Sequence, residues 1–190
     1  MDGLKARLAS RNANKARELE QLLPTWRIEP LEAEDYPVED GTTYYDNARA
    51  KALFGRTRAE PDEWALGEDS GIEVAALGGE PGVRSARSGG DDPVGWLLDA
   101  LEDQEDRRAR YVSELVIVSP AGDEVRGTGT LEGRIAVESR GTEGFGFDPI
   151  FIPAGEQRTV AELGNEWKRE NSHRARAARV LLVALLGETG

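Results

Sequence analysis

The sequence predicts a mixed α/β domain with helices at both ends and strands between. Three observations carry this. The chain of 190 residues is long enough for one domain with a full core, expected to run over residues 1–190. Apolar residues recur at helical spacing near both ends, at Ala16, Leu19, Leu22 and Leu23 and again at Ala178, Leu181, Leu182, Leu185 and Leu186. Between them lie short apolar or alternating runs, separated by clusters of Gly, Pro and Asp.

Leu4–Ser10 reads as a first strand. A polar loop leads from it into a helix that Asn12 or Asn14 can cap and that ends near Pro24. Residues 29–42 are acidic and turn-rich, and an Ala-rich helix follows from about Thr43 to Arg58. Trp64–Gly67 is a buried strand running into Glu68-Asp69-Ser70-Gly71, read as a turn, with Ile72–Ala76 continuing beyond it. Gly78–Gly82 is a turn cluster, and Asp92 before Pro93 starts a helix through Leu101. Arg110–Val118 and Glu124–Thr130 form a hairpin, and Arg134–Val137 is a further strand. Gly141–Phe151 is a Gly/aromatic loop, residues 165–171 a short polar helix, and Ser172 caps the last helix, which Gly187 ends.

Composition excludes several function classes. The net charge is −12, so the chain as a whole repels nucleic acids and anionic membranes, and neither is expected as a partner. No apolar run approaches a membrane span, and Met1–Leu8 lacks the apolar stretch of a secretory signal. With no Cys and one His, thiolate chemistry and Cys- or His-based metal cages are excluded, so a metal must be held by oxygen. Lys5, Lys15, Lys51 and Lys168 are the only lysines among 24 basic residues, which marks each as a candidate phosphate contact or a leftover of Arg-biased composition.

Four polar clusters stand out. Ser10–Lys15 reads either as a capped helix start or as a phosphate cradle, although it is not a P-loop. Glu68-Asp69 is either a solvated turn or a pair of metal-binding carboxylates, with Glu39 and Asp40 able to add oxygen from another loop. Gly144-Phe145-Gly146-Phe147-Asp148 offers aromatic rings to a core or to a base. Lys168 with Ser172-His173-Arg174 is a charged helix start carrying the only His.

Taken in order, these segments resemble the inosine triphosphate pyrophosphatase (HAM1-like) family. The resemblance rests on Ser10-x-Asn12-x-x-Lys15, Asp46-Asn47-Ala48-x-x-Lys51-Ala52 and Asp69-Ser70-Gly71-Ile72-Glu73-Val74. It continues through Leu77-Gly78-Gly79-x-Pro81-Gly82-Val83-x-Ser85-Ala86-Arg87, Gly144–Phe151 and Lys168-x-x-x-Ser172-His173-Arg174, covering roughly residues 4–186. It implies an elongated mixed β-sheet with flanking helices, two lobes around a central nucleotide cleft, and a cytoplasmic homodimer. The implied activity is Mg²⁺-dependent hydrolysis of ITP, dITP and XTP to the monophosphate and pyrophosphate. Carried over residue by residue, Ser10, Arg11, Asn12, Ala13, Asn14 and Lys15 match the triphosphate loop. Asp69 matches the proton acceptor and metal ligand, Glu39 the second metal ligand (Asp40 being nearly as good), and Ser70 a substrate contact. Phe145, Gly146, Phe147, Asp148, Lys168, His173 and Arg174 match nucleotide contacts, with Arg174, His173 and backbone N–H groups as the donors considered for the purine O6 edge. Glu68, Ser88 and Ala175 depart from the Asp, aromatic and Gly usual in the family. The rival readings are a pyrophosphatase for pyrimidine or canonical nucleotides and a non-catalytic nucleotide-binding module.

Overall fold

The structure is a computed structural model that describes residues 4–187; Met1–Gly3, which open the segment read for a signal, lie outside it. Strand β1 (Lys5–Leu8) leads to helix α1 (Ala13–Leu22), strand β2 (Arg27–Pro30), helix α2 (Tyr44–Arg56) and strand β3 (Trp64–Val74). Two short 3₁₀ turns, helix α3 (Pro93–Ala100) and the strands β4 (Arg108–Val118) and β5 (Glu124–Ile135) follow. Strand β6 (Phe151–Pro153) and helices α4 (Val160–Asn171) and α5 (His173–Gly187) complete the chain. The strands form one mixed sheet in the order β2-β1-β3-β4-β5-β6, with β1 parallel to both β2 and β3 and β6 antiparallel to β5.

Capping residues explain where the helices begin. Asn12 accepts from the N–H groups of Asn14 and Lys15 at 3.0 and 3.2 Å, which settles the choice between Asn12 and Asn14. Thr43 and Asp46 form a reciprocal capping box on α2, and Asp92 caps α3 with Pro93 behind it.

Four expectations change. Glu68–Gly71 is no turn: β3 runs unbroken through it, with Glu68 fully buried and Asp69 nearly so, because strand pairing overrides the turn preference of Asp-Ser-Gly. Arg134–Val137 is not a separate strand, since β5 continues from Glu124 to Ile135. Strands β2 and β6 were not expected at all, and α4 starts at Val160, ahead of a kink at Gly164, rather than at residue 165.

The chain divides into two compact units, with β3, β4 and β5 passing from one to the other. The first comprises Met1–Asp69, Ser113–Gly129 and Arg174–Gly190. In it Leu8, Leu66, Leu115 and Ile117 pack against Leu19 of α1 and Ala178 and Leu181 of α5. Ala48 and Ala52 of α2 cover the other face of the strands through Val116 and Val118. This helix lies so close that a Cβ on Gly67 would stand 2.0 Å from the Ala48 carbonyl oxygen, so only glycine serves there. The second unit, Ser70–Val112 with Thr130–His173, has its own core of Ile72, Val74, Leu97, Leu131, Ile135 and Phe151 among others. No described helix is long and apolar enough to cross a membrane.

Candidate active site

Successive side chains of a strand point to opposite faces, and this separates the two acids at the centre of β3. Glu68 shares its face with Leu66 and turns toward α1 and α5. Its Oε2 lies 2.7 Å from Lys15 Nζ, and its Oε1 accepts from Nε and Nη2 of Arg174, both at 3.1 Å, and from Ser113 Oγ at 3.3 Å. Arg174 Nη1 in turn pairs with Glu18. Burial alone would push the Glu68 carboxyl up, but Lys15 and Arg174 outweigh it and hold it well below the usual range. The same carboxylates raise Arg174 despite its burial.

Asp69 turns the other way, toward α2. Its Oδ1 accepts from Lys51 Nζ at 3.1 Å and its Oδ2 from Asn47 Nδ2 at 3.0 Å. The Lys51 ammonium also pairs with Glu39 and donates to the Glu68 carbonyl at 3.1 Å. Asn47 is held in place because its Oδ1 accepts from Gly41 N–H at 2.9 Å. Burial raises the Asp69 carboxyl above its ordinary value, more than Lys51 and Lys15 lower it. Lys51 moves up as well: burial opposes its charge, but Asp69 and Glu39 prevail. Of the two acids considered for the loop, Glu39 is the one that reaches Lys51, whereas Asp40 is exposed.

One lysine therefore stands between two carboxylates, an all-oxygen donor pair with one negative charge to spare. No group of three or more His, Cys, Asp or Glu poised to hold a metal occurs among the described residues. The pair fits a hard divalent ion such as Mg²⁺, which takes one or two carboxylates and fills its shell from substrate phosphate and water.

Ser10–Lys15 forms the start of α1. Ser10 Oγ accepts from Asn12 N–H at 3.1 Å, Ala13 and Asn14 are exposed, and Lys15 points inward to Glu68. Arg11 donates to the Glu34 carbonyl at 2.6 Å and lies over the Tyr36 ring at 4.8 Å. Ser10, Arg11, Leu31, Glu34 and Tyr36 are among the residues lining a cavity of about 590 Å³.

The second unit holds a separate cluster. The Asp148 Oδ2 accepts from Lys168 Nζ at 2.7 Å and from Phe145 N–H at 2.8 Å, closing the Gly/aromatic loop on α4. Gly144, at φ 79°, allows this, because a Cβ there would sit 2.3 Å from Asp148 Oδ2. Lys168 Nζ also lies 4.3 Å from the centroid of the Phe145 ring. Tyr111 stacks on His173 and reaches Asp148. Gly146 is exposed at the loop tip, and Ser70 is half-buried.

Two expected nucleotide contacts are buried. Phe147 is packed in the core of the second unit, because the loop turns one ring inward and leaves Phe145 partly exposed. Arg174 is 2% exposed, and its Nε, Nη1 and Nη2 donate to Glu68 and Glu18.

Asn47, Glu18 and Tyr111 were given no role from sequence, and Lys51 none beyond that of one lysine among four candidate phosphate contacts. Lys51 carried a signal, as one of four lysines placed one helical turn after Asn47.

Residues 6–184 match the profile of the Ham1 family. The chain belongs to the Ham1 family. The dITP/XTP pyrophosphatase of Symbiobacterium thermophilum is 47% identical over 192 aligned positions, covering 95% of this chain and 96% of the relative. That of Deinococcus deserti is 41% identical, covering 96% and 91%. Among solved structures, the Staphylococcus aureus Ham1 protein superposes with a TM-score of 0.84 at 32% identity, covering 97% of this chain and 99% of its own. Ham1 membership thus rests on nearly the whole length, and the resemblance read from the motifs stands.

Proposed function

We propose that this Ham1 protein hydrolyses dITP, ITP and XTP to the nucleoside monophosphate and pyrophosphate, removing non-canonical purines from the nucleotide pool. Relatives named dITP/XTP pyrophosphatase at 40–47% identity over most of the chain support the reaction class. The observation in this chain that carries it is the sharing of one ammonium, Lys51, by Glu39 and Asp69.

Water attacks the α-phosphorus, a P–O bond forms, and the bond to the bridging oxygen breaks as pyrophosphate departs. Asp69 receives the proton of that water on a carboxylate oxygen; burial makes it a stronger base than an exposed aspartate. Lys51 and Asn47 hold the carboxylate in one orientation. Mg²⁺ held by Glu39 and Asp69 would neutralise phosphate charge and acidify water. In this reading Lys15, which pairs with Glu68, and Lys168, which pairs with Asp148, offset charge on the departing pyrophosphate. Ser10–Lys15 serves the triphosphate and Ser70 contacts substrate.

Phe145, His173 and backbone N–H groups of the Gly/aromatic loop serve the purine. Hypoxanthine and xanthine offer an acceptor at O6 where adenine offers an amino donor. Donors from this cluster therefore favour the non-canonical bases, and a site left with unpaired donors rejects adenine by up to roughly 10⁴-fold. A homodimer in the cytoplasm completes the reading; light scattering near 20.7 kDa at micromolar concentration would contradict the dimer. The deciding test incubates purified protein with Mg²⁺ and a panel of nucleotides. Pyrophosphate from dITP, ITP and XTP is expected, and release of orthophosphate alone would refute the reading.

A further inference from the structure

The buried polar groups of the second unit meet at a residue to which nothing above gives a function. Tyr111 comes from β4 and is 7% exposed. Its ring contacts two others: Phe151 at 4.5 Å and a 45° tilt, and His173 at 4.5 Å and 10°, a near-parallel stack. Its hydroxyl points at Asp148 Oδ1, 3.4 Å away, while Oδ2 of the same carboxylate accepts from Lys168 and from the Phe145 N–H. A phenylalanine would fill the same space, and a buried hydroxyl is costly unless it finds a partner. Here the partner is the aspartate that closes the Gly/aromatic loop.

We propose that Tyr111 is a positioning residue for purine recognition: its ring sets the plane of the His173 imidazole, and its hydroxyl tethers Asp148 and so the Phe145 loop. The role rests on the assignment of His173 and Phe145 to the purine made under Proposed function. An imidazole held on one face by a rigid ring loses its freedom to rotate before substrate arrives, so less is lost on binding. The tether does the same for the loop. A strand residue is suited to the task, because its backbone is fixed by the sheet on both sides.

His173 is the only histidine, so its imidazole Cε1–H gives one unambiguous NMR signal. The near-parallel stack on Tyr111 should shield this proton in the wild-type protein and move it upfield of a free imidazole. Tyr111→Leu should move it downfield and raise KM for dITP roughly three- to tenfold, with kcat changed by less than about twofold. Tyr111→Phe keeps the ring but loses the tether, so it should hold the resonance in place and keep a smaller, roughly two- to threefold rise in KM; a KM equal to that of the wild type would remove the tether from the proposal. Circular dichroism and thermal unfolding establish that both variants are folded; should Tyr111→Leu not fold, Tyr111→Met takes its place. An unmoved resonance in the Leu variant, or a loss of stability with KM unchanged, overturns the proposal. Failure of the wild-type protein to release pyrophosphate from dITP is a separate result, seen before any substitution, and it overturns the proposed function and the role of Tyr111 with it.

Discussion

Glu68→Gln removes one negative charge from a buried polar cluster and keeps the shape of the side chain. In the native state that carboxylate is fully buried and faces Lys15 and Arg174, with Ser113 donating to it as well. Breaking a buried ion pair by neutralising one partner costs about 3–5 kcal/mol, because the remaining charge is left in a poor solvent. Arg174 keeps Glu18, and glutamine keeps one acceptor oxygen, so the loss belongs at the lower end, about 3 kcal/mol. Urea unfolding of the metal-free protein at pH 7, monitored by tryptophan fluorescence, measures it directly. The gap between wild type and variant should also depend on pH. The folded Glu68 carboxyl lies below its unfolded value of 4.5, so its contribution is present above that pH and fades as the pH falls toward the folded value. A loss below about 1 kcal/mol, or a gap that does not shrink in acid, would show that the cluster is not desolvated as described.

Further outcomes follow from the other face of β3. Asp69→Asn should lower kcat by at least roughly 10²-fold with the fold retained, as circular dichroism and steady-state rates would show. Its fold should be spared because burial already disfavours the charge that is removed. Glu39→Gln should raise the Mg²⁺ concentration needed for half-maximal rate by roughly tenfold or more, while Asp40→Asn leaves it within about twofold; the reverse order would move the ligand by one residue. Gly67→Ala should destabilise by at least about 1–3 kcal/mol in thermal or urea unfolding, because the methyl group meets the α2 backbone; an unchanged midpoint would contradict that contact.

Local chemistry made much of the fold legible. Asn12, Asp92-Pro93 and the turn after Val118 each specify a boundary through groups within a few residues, and the structure follows them. What escaped was set by distant partners. β2 is four residues with Arg27 and Pro30 exposed, and β6 is three residues, so neither carries a periodic signal of its own. Asp69-Ser70-Gly71 has turn chemistry yet sits inside an eleven-residue strand whose neighbours are supplied by β1 and β4. The site was readable as an inventory and not as a circuit. Lys15, Glu39, Asp69 and Lys168 could be picked out by residue type, but which charge faces which depends on strand alternation. That alternation sends Glu68 to Arg174 and Asp69 to Lys51. The aromatic loop divides in the same way, since only the folded core decides that Phe147 turns inward and Phe145 stays at the surface.

The most direct test of the central claim compares products and bases in one experiment. Purified protein with Mg²⁺ is given dITP, XTP, ATP and GTP separately, and pyrophosphate, orthophosphate and nucleoside monophosphate are quantified over time. Pyrophosphate and monophosphate should appear in equal amounts from dITP and XTP, with kcat/KM far above that for ATP and clearly above that for GTP. Equal kcat/KM for ATP and dITP, or orthophosphate as the sole first product, would contradict the account.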